Sequence, residues 1–216
     1  MRQKGLSQEW LKGIACLAML VDHVGVVLFP WVGLRIIGRL AFPIYCFLLC
    51  EGAEHTRDPG HYGLRLAIGA ALAELPFDIL FHGGWSWGHS NVMVTLLLGL
   101  PVAIWFKKGK DARLGLLYTV GAVLMARLLG SDYGGMGILM ILLFSLPGTM
   151  PVRALSMAVL SLATGEPTQL FALLSLIPIG LYTGEKSTDS KALQWAFYLF
   201  YPGHLLALLI LKMGLI

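Results

Sequence analysis

Apolar stretches of about membrane-crossing length recur from one end of the chain to the other, separated by short polar breaks. They fall at roughly 10–30, 33–53, 62–82, 91–107, 113–130, 135–147, 151–164, 168–183 and 192–212. The sixth to eighth are short for spanning helices, so tilted, broken or re-entrant segments are expected among them. The pattern predicts an all-α, polytopic helical membrane protein of about eight or nine transmembrane helices, organised as a single domain over 1–216. The first stretch is expected to be a span and not a cleaved signal. Asp22 and His23 interrupt it, and no small-residue cleavage pattern follows. There is no internal repeat of the kind that marks inverted-repeat transporters, and no low-complexity linker.

Loop charges follow the same partition. One set of connections carries Arg2 and Lys4, then Arg57, then Lys107, Lys108, Lys110 and Arg113, then Arg153, then Lys186 and Lys191. The alternate connections near 31–33, 83–90, 131–134 and 165–167 have no Lys or Arg. By the positive-inside rule the N-terminus is cytoplasmic, and nine spans would leave the C-terminus outside. Trp31, Trp85 and Trp87 fall at the outer ends, where interfacial anchors belong. Composition agrees: 57% of residues are hydrophobic and only 13% charged, against about 25% charged in soluble domains. The net charge of +4 therefore reads as topology, and no nucleic-acid partner is expected. Cys16, Cys46 and Cys50 lie inside apolar stretches as small hydrophobes at helix contacts, and no His/Cys spacing suits a metal.

Ionisable residues within spans are costly and mark function or buried pairs. Eleven residues at about 100° each put Lys12 and His23 on one helical face, about 16 Å apart along the axis. Asp22 adjoins His23, and Arg39 enters the second stretch at a similar depth, so Arg39 is expected to face Asp22 or His23. Pro43 is expected to kink that helix. An outer-half set comprises Asp22, His23, Arg39, Glu74, Asp78, Asn91, Arg127, Asp132 and His204, with Tyr201 nearby in the last helix. An inner set comprises Lys12, Glu51, His55, Arg57 and Arg65. Two such sets suggest a central polar cavity with a route across the bilayer. The bland alternative is a collection of salt bridges that fix helix packing.

The segments VDHVG, GRLAFPIYCFLLCEGAEHTRD, ELPFD, NVMVTLLLG, DYGGMG and FYPGHLLAL together resemble the TraX family, in the family's order. Residues from about 150 to 190 contribute little to the likeness. The Lys12–His23 spacing also resembles the cation, ten residues, His pattern of the transmembrane acyltransferase-3 proteins. The TraX resemblance implies an integral-membrane acetyltransferase of the bacterial cytoplasmic (inner) membrane, with acetyl-CoA as co-substrate. It also implies a link to conjugation, where the family's named member is associated with N-terminal acetylation of pilin.

On that resemblance His23 is expected to act as general base, oriented or raised in pKa by Asp22, with His204 in reserve. Arg39 or Asn91 would stabilise the oxyanion. An acetyl-His intermediate is an alternative. Lys12, Arg57 and Arg65, with His55 and Glu51, would hold the CoA end, and Glu74, Asp78, Arg127, Asp132 and Tyr201 would face the acceptor. The acceptor is a pilin-like peptide N-terminus, a sugar or a lipid. A proton-coupled small-molecule transporter is the rival reading, since buried Asp, Glu and His chains suit proton relays. A non-catalytic assembly factor is a second. HExxH and GxSxG are both absent, which argues against a protease.

Overall fold

A computed structural model describes residues 5–109, 111–186, 188 and 190–215. The cations Arg2, Lys4 and Lys110 of the loop-charge pattern lie outside the described residues. The chain is all-helical: α1 Gln8–Val27, α2 Val32–Gly38, α3 Ala41–His55, α4 Pro59–His82, α5 Val92–Lys107, α6 Ala112–Leu128, α7 Gly134–Ser145, α8 Met150–Ala163, a 3₁₀ helix Pro167–Ser175, α9 Leu176–Gly180 and α10 Lys191–Gly214. Among the described residues three stretches are long and apolar enough to cross a membrane: α1, α2 with α3, and α10. Outward-facing apolar side chains continue elsewhere. Leu116, Leu117, Val120, Leu124 and Leu128 of α6 are each more than half exposed, a row that water solvates poorly.

Two apolar stretches are broken, as the expected kink at Pro43 and the shortness of the eighth stretch suggested. The second breaks at Arg39–Leu40, one turn before Pro43, where a kink was expected. The physical reason is the ring itself. Pro43 has no N–H to bond the Arg39 carbonyl four residues back, and its ring crowds that carbonyl. The chain crosses the break with tight turn bonds, Arg39 N to Ile36 O at 3.3 Å and Leu40 N to Ile37 O at 3.2 Å. The eighth stretch is a nine-residue 3₁₀ helix followed by the five residues of α9.

The fold divides into two compact units. The first is made from the described residues of Met1–Leu48 with Gly148–Phe197. In it α1 and α2 form a tight hairpin, and Gly25 is small enough to admit Leu34. The start of α1 is fastened to residues 181–183: Leu6 N bonds Leu181 O at 2.8 Å, and Thr183 N bonds Leu6 O at 3.0 Å. The second unit comprises Leu49–Pro147 with Tyr198–Ile216. Its core packs Val102 of α5, Ala126 of α6 and Ile138 of α7, all fully buried. Gly99 there leaves room for Ile141. Cys50 Sγ lies 3.4 Å from Ile141 O and 3.3 Å from Ser145 Oγ, which fastens the end of α3 to α7.

Candidate functional site

In the first unit, α1 runs unbroken, so the Lys12–His23 spacing is realised on one helical face. Ser7 caps the helix, accepting from Trp10 N at 3.5 Å. Lys12 Nζ is 3.4 Å from Gln8 Oε1 and 5.4 Å from the centre of the Phe197 ring. Cys16, one turn on, has its Sγ 3.1 Å from the Tyr45 hydroxyl. His23 is half-buried.

Asp22 is engaged by a residue that sequence reasoning passed over. Arg35 Nη1 donates to Asp22 Oδ2 at 2.8 Å. Asp22 Oδ1 lies against Gly38, where a Cβ would overlap the carboxylate, and it has no hydrogen-bond partner. Arg39 caps the C-terminus of α2, and its guanidinium is within Coulombic reach of Asp22, in line with the expected pairing. The ion pair at contact distance is nonetheless Arg35's. A hairpin register would have found it. Asp22 lies eight residues before Pro30 and Gly38 eight after, so Arg35 and Arg39 flank the position opposite Asp22.

In the second unit, α4 and α5 gather a polar group. Asn91 is fully buried; its side-chain amide donates to Ala70 O at 2.9 Å and also to Glu74 Oε2. Its backbone N–H reaches the same Glu74 oxygen at 3.2 Å, and its side-chain oxygen caps α5 by accepting from Met93 N at 3.0 Å. Asp78, one turn beyond Glu74, is fully buried and accepts from Ser86 N at 2.9 Å. Thr95 donates to Ser131 Oγ at 3.1 Å and to the Asp132 carbonyl. Tyr201 and His204 of α10 are buried, with ring centres 5.6 Å apart, and His204 Nδ1 lies 2.8 Å from Phe200 O.

The other expected site residues of this unit are spread along it. Arg65 lies between the rings of Tyr62 and Tyr198, 5.5 Å from each centre, so its guanidinium is already stacked. His55 Nδ1 is 2.9 Å from Glu51 O, and His55 and Arg57 are exposed. Arg127, in the last turn of α6, and Asp132 are also exposed. Asp58 opens α4, accepting from His61 N at 2.9 Å with His61 Nδ1 2.5 Å from its other oxygen. Those bonds hold the Asp58 carboxyl below the usual carboxylate range.

The TraX protein family matches residues 7–212. The chain belongs to the TraX family. A TraX-sized relative, "Probable fimbrial assembly protein FimC, serogroup H1" of Dichelobacter nodosus, is 29% identical over 237 positions covering 95% of each chain. An uncharacterized protein of Rickettsia prowazekii is 31% identical over 101 positions, covering 46% of this chain and 38% of its own. No solved structure matches this TraX chain.

Asn91, a candidate oxyanion donor, has two amide N–H donors, and they are engaged by Ala70 and Glu74. In this TraX chain Asn91 is a brace between α4 and α5. The Arg39 Nε, by contrast, is buried without a hydrogen-bond partner.

Proposed function

We propose that this TraX protein is an integral-membrane acetyltransferase that moves an acetyl group from cytoplasmic acetyl-CoA to an amine or hydroxyl of an acceptor. The observation that carries the reading is the family match over residues 7–212, which includes the unbroken α1 with Lys12 and His23 on one face. The fimbrial relative favours a pilin-like peptide N-terminus as acceptor over a sugar or lipid. The protein sits in the bacterial inner membrane with eight or nine spans and its N-terminus in the cytoplasm, in keeping with the alternation of loop cations.

The reaction forms one bond and breaks one. The acceptor nitrogen attacks the thioester carbonyl, the C–N bond forms, and the C–S bond breaks to release CoA. His23 takes the proton from the attacking amine and returns it to the departing thiolate. Lys12, at the cytoplasmic end of the same face, supplies positive charge for the CoA phosphates. The α1 rise of about 16 Å between Lys12 and His23 is within the reach of an extended pantetheine arm. Arg39 carries the oxyanion role that Asn91 cannot fill.

The test is acetyl transfer by purified protein from labelled acetyl-CoA to a peptide bearing a free N-terminus. His23→Ala should abolish transfer while the protein stays folded and inserted. Turnover near wild type in that variant removes the base. Proton-driven flux in liposomes without any transfer would replace the reading with the transporter.

A further inference from the structure

We infer that Asp22, Arg35 and Arg39 form a seat for one small oxyanion group, received by the Arg39 guanidinium. The seat begins with a charge count. One carboxylate serves two guanidiniums, so the three side chains together carry one positive charge in excess. Arg35 holds the contact pair at 2.8 Å, and its side chain is 32% exposed, so water screens part of its charge. Arg39 has no such relief. It is only 9% exposed, its Nε is sealed without a hydrogen-bond partner, and among the described residues no ion pair at contact distance engages it.

A buried guanidinium that lacks a bonded counter-charge is costly, by several kcal/mol in low-dielectric surroundings. Guanidinium N–H groups form a planar fork that matches carboxylate and phosphate oxygens. The backbone fixes where the side chain begins: Arg39 is the C-cap of α2, held by Arg39 N to Arg35 O at 3.2 Å, and lies in the break imposed by Pro43. Asp22 steadies the arrangement without saturating it, because its contact bond goes to Arg35 and Gly38 occupies its other side. What remains is a preorganised donor group with one charge to neutralise. The inference deepens the acetyl-transfer reading and rests on it for its role: under that reaction the seat is where the thioester oxyanion would develop.

The test uses the full-length protein in neutral detergent and reads the midpoint of thermal unfolding. Inorganic phosphate is titrated against sodium chloride at matched ionic strength. In parallel, phosphatidylglycerol is compared with phosphatidylcholine in mixed micelles. The wild type should gain several degrees from phosphate or phosphatidylglycerol over the matched control. Arg39→Gln should lose that gain, while Lys107→Gln, at a distinct ion pair with Glu54, keeps it. A gain from phosphate identifies a soluble anion, and a gain from phosphatidylglycerol alone identifies a headgroup. Should Arg39→Gln fail to fold, Arg39→Lys keeps the charge, loses the fork and should show a reduced gain. A wild type indifferent to both anions, or an Arg39→Gln or Arg39→Lys variant that responds like wild type, overturns the seat. Loss of the anion response in Arg39→Gln with acetyl transfer at the wild-type rate keeps the seat and removes Arg39 from the oxyanion role, whereas a transfer defect in Arg39→Gln beside a wild type indifferent to both anions overturns the seat and leaves the reaction standing.

Discussion

Gly38→Ala puts the α1–α2 hairpin to a test of sign. Gly38 is the last residue of α2, and on helix propensity alone the change to alanine should stabilise by up to about 1 kcal/mol. The structure demands the opposite, because a Cβ at 38 would overlap the Asp22 carboxylate. Relief requires α1 and α2 to separate, an overpacking strain of about 1–3 kcal/mol. Separation also stretches the Asp22–Arg35 pair, whose side chains are 16% and 32% exposed. A pair at that depth falls between the surface value of about 0–1 kcal/mol and the buried loss of about 3–5 kcal/mol. Taking about 1–2 kcal/mol for it and subtracting the propensity gain of about 1 kcal/mol, the net loss is about 1–4 kcal/mol. At roughly 2–4 °C per kcal/mol for a chain of this size, the unfolding midpoint should fall by about 2–16 °C. A double-mutant cycle isolates the contact. In an Asp22→Gly background the new methyl enters vacated space, so Gly38→Ala should be neutral or mildly stabilising. Fluorescence-detected thermal unfolding in detergent measures all four proteins. If Gly38→Ala is as stable as wild type, or if the two changes are additive, the register deduced for the hairpin is wrong.

Three other perturbations follow from the same reading. Asn91→Ala takes one of two donors from Glu74 Oε2, one bond from the Ala70 carbonyl and the cap from α5, so it should destabilise by about 1–3 kcal/mol, read from the fall in the unfolding midpoint. Acetyl transfer per folded molecule should stay near wild type; a 100-fold drop in kcat at unchanged stability would restore Asn91 as an oxyanion donor. Gly130 has φ of +55° and faces the Gly88 carbonyl, so Gly130→Ala should disrupt the backbone bond Ser90 N to Gly130 O at 3.2 Å. Limited proteolysis between residues 83 and 90 should accelerate, and an unchanged cleavage rate counts against that joint. The Asp58 carboxyl is held below its ordinary value of about 3.9 by the His61 backbone and side chain. Its stabilising contribution is therefore complete above that value and lost as pH falls through the lower, folded one. Asp58→Asn should flatten that acid limb of the stability curve, measured by thermal unfolding below pH 5. A limb of unchanged steepness rules the Asp58 cap out as its source.

The helices were legible in the sequence because burial acts on every residue of a segment, so the apolar lengths needed no knowledge of partners; among the described residues three of the stretches are long and apolar enough to cross a membrane. Where the reading slipped, a long-range contact decided. The break at Arg39 came from a proline acting on a carbonyl four residues away, and a helix pattern that counts only hydrophobic faces places the bend at the proline itself. Asn91 showed the right chemistry for an oxyanion donor but gave no sign that both its N–H groups were already taken by α4.

Arg35 is the instructive omission. It lies inside the second apolar stretch, in what is α2, and hydropathy alone gives a single cation there no partner. Helix pairing supplies the missing step. The hairpin turn near Pro30 sets Asp22 opposite Gly38, and a glycine is what lets two backbones approach closely enough for a short carboxylate to meet a guanidinium one turn away. The order of inference therefore runs from the turn to the register, from the register to the small residue at the crossing, and only then to the charges around it. Followed in that order, the sequence places two guanidiniums beside one carboxylate, and it is the second, Arg39, whose Nε is buried without a hydrogen-bond partner.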